Sequence, residues 1–491
     1  MKKRILSALL AALMLCGALA SCSGGNTEET TADTMASVAD TTVPETTADP
    51  TALPEKNLDG WTFTAFVRGA AENNYWNCVD IYMEDYTGDV LVDAVVDRNN
   101  FIEETYNCTI AQQESTNSSL TEARNLITSG DNTFAAMCLR SDYTAALAAD
   151  LSLIDMQTLP YIQLGEAWWD QNAIEELSIG GKVFFTTGDL SISCNDAVQI
   201  PVFNKTVFSK HEGLEDPYQL VRDNKWTVDK MTQMGLDVNA DTNGDGVMTD
   251  ADSWGYLAYP WGGLFLFFGA GESIVSKDEN DLPVLSIYND RAVQVLDQIF
   301  KVHGGGNPDY INGLSKVQTA MMSEDRVLFT ITSMATVRKQ FRENVESDIG
   351  ILPVPKYDEA QDRYYNLVVF QDTSNMYSVP KTCPDLEKTG FVLEALAQES
   401  TDTLREAYYD KTISYKALRD RDSLEMLEII LATRTYDLAS AYGWGGWNNF
   451  FTSTIPNSRG NNNFASYYRK LEPLTNKALA ETIAKFTSTD A

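Results

Sequence analysis

The chain has 491 residues, a formal net charge of −33, 44% hydrophobic and 22% charged residues. That length exceeds one compact core and suggests two lobes or domains once the N-terminus is removed, while the hydrophobic share is ordinary for a globular protein. A surface this acidic repels phosphate backbones and anionic lipid, which argues against nucleic acid as a partner. The two histidines, His211 and His303, stand in no recognisable motif, which leaves little for a His-based metal centre or a Ser-His-Asp triad.

The chain opens with "MKKR" and then "ILSALLAALMLCGALA", a basic start and an apolar run too short for an ordinary membrane span. "LASC", Leu19 to Cys22, follows and resembles the lipobox of bacterial lipoproteins. Residues 1–22 are therefore expected to be a lipoprotein signal peptide, with Cys22 acylated. Residues 23–56 are rich in Thr, Ala, Glu, Asp and Pro and hold no aromatic residue. Such a segment cannot bury enough surface to fold and reads as a disordered tether. The expected location is the cell membrane, lipid-anchored on the extracellular face. The remaining cysteines, Cys78, Cys108, Cys138, Cys194 and Cys383, are widely spaced and odd in number, so they form neither a disulfide framework nor a zinc motif.

The body begins with "GWTFTAFVRG", whose alternation predicts a strand. "DVLVDAVVDRNNFIEETYN" has helical spacing and "CTIAQQ" reads as a second strand, giving a βαβ unit and a parallel sheet. Further strands are predicted at "TFAAMCL", "KVFFTTG", "AVQIPVF", "RVLFTIT", "DIGILPV" and "NMYSV". Toward the C-terminus "DRDSLEMLEIILATR" predicts a helix with Asp422 as N-cap and Glu425 completing a capping box. "FASYYRKLEPLTNKALAETIAKF" predicts a helix broken near Pro473.

Residues 241 to 252, "DTNGDGVMTDAD", follow the twelve-residue calcium-loop pattern. Asp241, Asn243, Asp245, the Val247 carbonyl, Thr249 and Asp252 occupy the ligand positions, and Gly246 occupies the sharp turn. Asp rather than Glu at the last position shortens one arm. The stretch also resembles one calcium repeat of a dockerin, but a dockerin needs two. A structural Ca2+ bracing a surface loop is expected.

"WWDQNAIEELSIGGKVFFTTGDLS", "IPVFNKTVF", "GLEDPYQLVRDNKWTVDKM", "DIGILPVPKYDEAQDRYYN" and "RDRDSLEMLEII" together resemble extracellular solute-binding lipoproteins of bacterial ABC importers, of the carbohydrate, family 1-like type, over residues 57–488. The resemblance implies an α/β, two-lobed periplasmic-binding-protein-like fold with a hinged central cleft. It places lobe 1 at 57–195 plus 326–370 and lobe 2 at 196–325 plus 371–491. The first crossing would lie near Ser191 to Val202, with a return near Arg326, a second crossing near Val368 to Val379 and helices from 385 completing lobe 2. It implies a non-enzymatic, monomeric protein that captures an oligosaccharide and delivers it to ABC permease membrane subunits. A peptide or other small polar solute as cargo, or a surface glycan-binding or glycan-cleaving lipoprotein, is the alternative.

Sugars present apolar faces for aromatic stacking and hydroxyls for polar partners. Tyr75 and Trp76 in "ENNYWN", Trp261 in "YPWGGLF", and Trp444 and Trp447 in "YGWGGWNN" fit the first need; core or inter-lobe packing is the competing role for each. Asn195 and Asp196 in "SCNDAV" and Asp372 in "FQDTSN" would face the cleft from the crossings, with turn capping as their competing role. Arg68 is a further candidate. Trp168 and Trp169 read as a packing corner.

Overall fold

In β1 (Trp61–Val67), Phe63, Ala65 and Val67 face one buried cluster and Phe66 another. The strand is covered on both faces, as parallel strands are. The computed structural model describes residues 51–371, 373–413 and 421–488. The signal peptide with Cys22, the tether up to residue 50, and Asp372 lie outside the described residues. After β1, α1 (Val90–Tyr106) starts where the Asp89 side chain accepts from the Leu91 N–H and stops at Asn107, in the left-handed region at φ 51°. The chain returns as β2 (Cys108–Glu114), parallel to β1. The predicted βαβ unit is present.

Two sheets carry the fold. β1, β2, β3 (Ala136–Arg140) and, from far along the chain, Asn375–Ser378 make the first. Between them come β4 (Gln199–Asn204), β5 (Trp254–Ala258), β6 (Ile311–Asn312), β7 (Val327–Ser333) and β8 (Ile349–Ile351), so Asn375–Ser378 is β9. The sheet orders are β9-β3-β1-β2 and β8-β4-β7-β5-β6. β4 runs antiparallel to β7, and β5 parallel to it.

This pairing corrects the expected lobe boundaries. Residues 326–370 do not return to the first lobe, because β7 and β8 are laddered into the second sheet. The return comes at 368–374, and β9 then joins β3 antiparallel. The outward passage is where the sequence placed it: α2 (Ile192–Asp196) leads straight into β4. The two passages lie side by side, with Val198 bridged to Val368 and the Val369 N–H donating to the Ala197 carbonyl at 3.3 Å.

Behind β5, α3 (Gly262–Gly269) packs on α4 (Asp290–His303). The helix α5 (Leu386–Ser400) packs on the first lobe rather than the second, because Phe391, Val392 and Leu396 belong to the cluster under β1. Three local expectations also change. "KVFFTTG" forms only isolated bridges, such as Thr186 with Tyr377. In α6 (Arg421–Ala432), Asp422 is inside the first turn, and it and Glu425 pair with Arg222 instead of forming a capping box. The last helix, α7 (Phe464–Phe486), runs unbroken through Pro473. Proline removes one backbone bond there, but its ring is exposed while Leu471, Thr475, Leu479 and Thr482 on either side stay buried.

Candidate functional site

The strand ends decide where a site can form. The C-terminal ends of β1, β5 and β7 and the start of β4 all open toward the gap between the sheets, where open α/β folds bind ligands. From the first lobe the turn after β1 carries Asn73, Tyr75 and Trp76. The Asn73 side-chain oxygen accepts from the Tyr75 and Trp76 N–H groups at 3.0 and 3.1 Å, which fixes this turn. From the second lobe come Tyr259 and Trp261 after β5, Gln199 of β4, and Thr332 and Ser333 of β7. Together with Ser315, Thr336, Gln340, Gln371 and Thr373 they line a cleft of about 350 Å³.

Tyr75 and Trp76 meet edge to face, with ring centroids 5.0 Å apart. Lys339, on the wide helical turn Thr336–Phe341, lies 4.6 Å from the Tyr75 centroid and 5.6 Å from that of Trp76. Its amine donates to the Tyr75 carbonyl at 2.7 Å. Second-lobe Lys339 thus already touches the first-lobe aromatics. Desolvation lowers the Lys339 pKa, partly offset by Asp196. Burial also raises the Tyr75 phenol, with the Asp196 charge adding to the effect.

Of the candidates read from sequence, Tyr75, Trp76 and Trp261 come together in this cleft. Asp196 does not face it as a ligand group. It is 2% exposed, and its carboxylate pairs with Arg338, approaches Lys339 at 3.8 Å and accepts from the Tyr408 hydroxyl at 3.1 Å. Burial opposes the Arg338 charge, but Asp196 outweighs it and holds the guanidinium above its ordinary range. Asp196 therefore positions the cationic turn under the cleft. Asn195 points the other way, into a separate polar hollow where it accepts from Arg434.

Trp444 and Trp447 are corrections. They are 4% and 1% exposed, and their indole N–H groups donate to Thr482 and Thr475 of α7 at 3.1 and 3.0 Å. The glycines between and before them take positive φ (Gly443 68°, Gly445 67°, Gly446 70°), folding the stretch under that helix. Arg68 is buried beside Glu72, its Nε 3.3 Å from that carboxylate. Trp168 and Trp169 both donate to the buried Glu394, at 2.8 and 2.9 Å, so they form the packing corner. Sequence reading missed Gln199, Tyr259, Thr332, Ser333 and Lys339. Tyr259, two residues before Trp261 in the quoted "YPWGGLF", was the one with a visible signal.

The calcium-type loop is held by its own side chains. Asp241 accepts from Gly244 and Gly246 N–H at 2.7 and 2.8 Å, Asn243 from Asp245 at 2.8 Å, and Asp245 from Val247 at 2.8 Å. Gly244 and Gly246 take positive φ, and Ala240 bridges Ser253 at the base. Asp252 is buried, its two oxygens accepting from Thr242 and Thr249 N–H at 3.0 and 2.8 Å. The turn geometry fits a calcium loop. The carboxylates are not drawn together, however: among the described residues, only Cys78, Asp80 and Cys138 bring three such donor atoms within 4.8 Å.

No family model matches the chain, and no curated protein sequence matches it. Solved structures do. The cyclic alpha-maltosyl-1,6-maltose binding protein of Arthrobacter globiformis superposes with a TM-score of 0.57 at 12% identity, over 87% of this chain and 100% of that one. The chain has the two-lobed fold of solute-binding proteins. A cyclo/maltodextrin-binding protein complexed with maltotetraose gives a TM-score of 0.52 at 13% identity, covering 87% of this chain and 98% of that one. UgpB of Mycobacterium tuberculosis, in complex with glycerophosphocholine, gives 0.51 at 10% identity, covering 80% and 96%. The solute-binding fold accounts for a cleft built at strand ends on either side of two adjoining passages. No helix among the described residues is long and apolar enough to cross a membrane.

Proposed function

We propose that the protein is the cargo-capturing component of an ABC importer, holding a carbohydrate, and specifically an oligosaccharide, between the two lobes. The observation that carries this reading is the composition of the cleft. Tyr75 and Trp76 from one lobe and Tyr259 and Trp261 from the other offer ring faces, and amides and hydroxyls such as Asn73, Gln199, Thr332 and Ser333 fill the space between. Rings match the apolar faces of a sugar, and neutral donor-acceptor groups match its hydroxyls without titrating. The volume of about 350 Å³ lies at the small end of ligand pockets and suits a short saccharide segment. Anchoring at Cys22 on the extracellular face and delivery to permease subunits complete the reading, and both rest on the sequence.

A second reading has one observation in its favour. Lys339 places an amine beside Tyr75, which suits an anionic solute such as a phosphodiester. Calorimetric titration of residues 53–491 with maltodextrins and other soluble glycans, glycerophosphodiesters and mixed peptides separates the two. Saturable glycan binding with no product supports sugar capture. Binding of the phosphodiester or peptides alone sinks it. The same proposal assigns Ca2+ to Asp241, Asn243, Asp245, Val247, Thr249 and Asp252 as a structural brace. Terbium luminescence lost in Asp241→Asn with Asp245→Asn checks it, and equal signal from that variant refutes it.

A further inference from the structure

Directly after the aromatic turn comes Cys78, whose sulfur lies 3.3 Å from that of Cys138 in β3, closer than simple van der Waals contact of two sulfurs. Both residues are sealed in the interior, at 1% and 0% exposure. Their backbones share one neighbour: the Arg68 N–H donates to the Cys138 carbonyl at 3.0 Å, and the Arg68 carbonyl accepts from the Cys78 N–H at 2.9 Å. A disulfide needs the two sulfurs to close to about 2.0 Å, and their present contact already places them on the same side of Arg68 and facing each other. Metal binding is the rival use of this cluster with Asp80. The buried Arg98 guanidinium donates to the Asp80 and Ile81 carbonyls at 2.7 and 3.1 Å, so a cation would sit beside a fixed positive charge. One oxygen of Asp80, Oδ2, is engaged by the hydroxyls of Ser191, Ser193 and Tyr377, while Oδ1 is buried with no hydrogen-bond partner.

We propose that Cys78 and Cys138 are joined by a disulfide that ties the aromatic turn to the first sheet. The bond forms by exchange with an external disulfide, carried by an exported thiol oxidoreductase or a small disulfide such as oxidised glutathione. The Cys78 thiolate attacks one sulfur of the donor and releases one thiol. The Cys138 thiolate then attacks the Cys78 sulfur of the mixed disulfide and releases the second. Two electrons pass to the donor, and the two protons end on its thiols. Burial pushes the Cys138 thiol well above its usual range in the finished fold, so exchange precedes docking of the turn. The closure spans 60 residues of chain and ends two residues past Trp76, so it pre-organises the cleft wall. Only this last consequence rests on the proposed cargo binding.

Secreted full-length chain, denatured in iodoacetamide without reductant and digested, tests the bond. The expected result is a cross-linked Cys78–Cys138 peptide, lighter by two hydrogens than its reduced pair, with Cys108, Cys194 and Cys383 alkylated. Recovery of Cys78 and Cys138 as alkylated thiols, also after refolding in a glutathione redox buffer, overturns the proposal. So does native mass spectrometry showing zinc retained on the reduced pair. The double variant Cys78→Ser with Cys138→Ser should remain folded by circular dichroism, lose the cross-link and melt several degrees lower. An unchanged melt would overturn the stabilising role, whatever the outcome of glycan titration.

Discussion

"YPWGGLF" and "YGWGGWNN" share the same Trp-Gly-Gly core and end up in opposite roles. In the first, Trp261 stands at the mouth of the cleft, and its glycines enter α3. A Cβ on Gly262 would lie 2.3 Å from the His303 ring, so these glycines let two helices approach. In the second, the glycines have positive φ, and a Cβ on Gly445 would lie 2.0 Å from the Thr475 hydroxyl. There they fold two indoles inward until their N–H groups meet threonines of α7. A Trp-Gly-Gly motif thus says that backbone will come close to something. What it meets, α4 in one case and α7 in the other, depends on partners elsewhere in the chain.

Substitutions should separate the two regions. Trp447→Ala removes a fully buried indole and leaves the Thr475 hydroxyl without it, so unfolding in urea should show a loss of about 3–5 kcal/mol. Ligand affinity measured below the transition should stay the same; a loss near zero would mean Trp447 is not core.

Acid is the next probe, because the first region packs on a histidine ring. Burial holds the His303 imidazole at a pKa of about 4, while an unfolded histidine titrates near 6.5. The unfolded chain therefore takes the proton first. The contribution of the neutral ring is complete above pH ~6.5 and is lost as the pH falls toward 4, a swing of about 3 kcal/mol. Asp80, Asp437 and Glu176, raised by burial to about 6, 6 and 7, titrate in the same range with the opposite sign. Subtracting the urea curves of His303→Gln from those of the unchanged protein cancels them. A difference that stays flat from pH 6.5 to 4 contradicts the assignment.

Trp76→Ala tests the cleft side of the comparison. Loss of one stacking face should weaken cargo binding by about 2 kcal/mol, roughly 30-fold, with little change in melting temperature. A thermal loss without an affinity loss would move Trp76 into the same class as Trp447. The smallest effect is expected for Lys339→Ala, which removes one hydrogen bond and a cation–π contact worth about 0.5–1 kcal/mol. A glycan cargo should lose only a few-fold in affinity, whereas a phosphodiester should lose far more.

The local features that sequence reveals here are those set by neighbours in the chain. The β1–α1–β2 unit was legible because alternation gives way to helical spacing and back within one short span. Tyr75, Trp76 and Trp261 were legible because large aromatics beside amides or glycines in loops are unusual. Gln199, Thr332 and Ser333 were not, because a polar residue at a strand end looks the same wherever that strand is placed. The register of Gln199 against Ser333, set over more than a hundred residues, turns them into a cleft wall. The same long-range pairing explains the misplacement of β7, whose apolar run fits either sheet. Asn195 and Asp196 were correctly placed at a crossing, but Arg434 and Arg338 claim their side chains.

The last helix also has a mechanical consequence. α7 leans on Pro283–Leu285 and packs Tyr468 against Tyr288, with ring centroids 4.4 Å apart, on the second-lobe side. At its far end Lys485 donates to the Ala149 carbonyl at 2.8 Å and Phe486 packs on Phe184 at 4.8 Å. It is a splint fixed to both sides of a joint. A splinted joint turns through a small angle, so cargo uptake should leave the hydrodynamic outline nearly constant. On the proposed importer reading, a permease would then recognise the loaded state from the rim of the gap, not from overall shape.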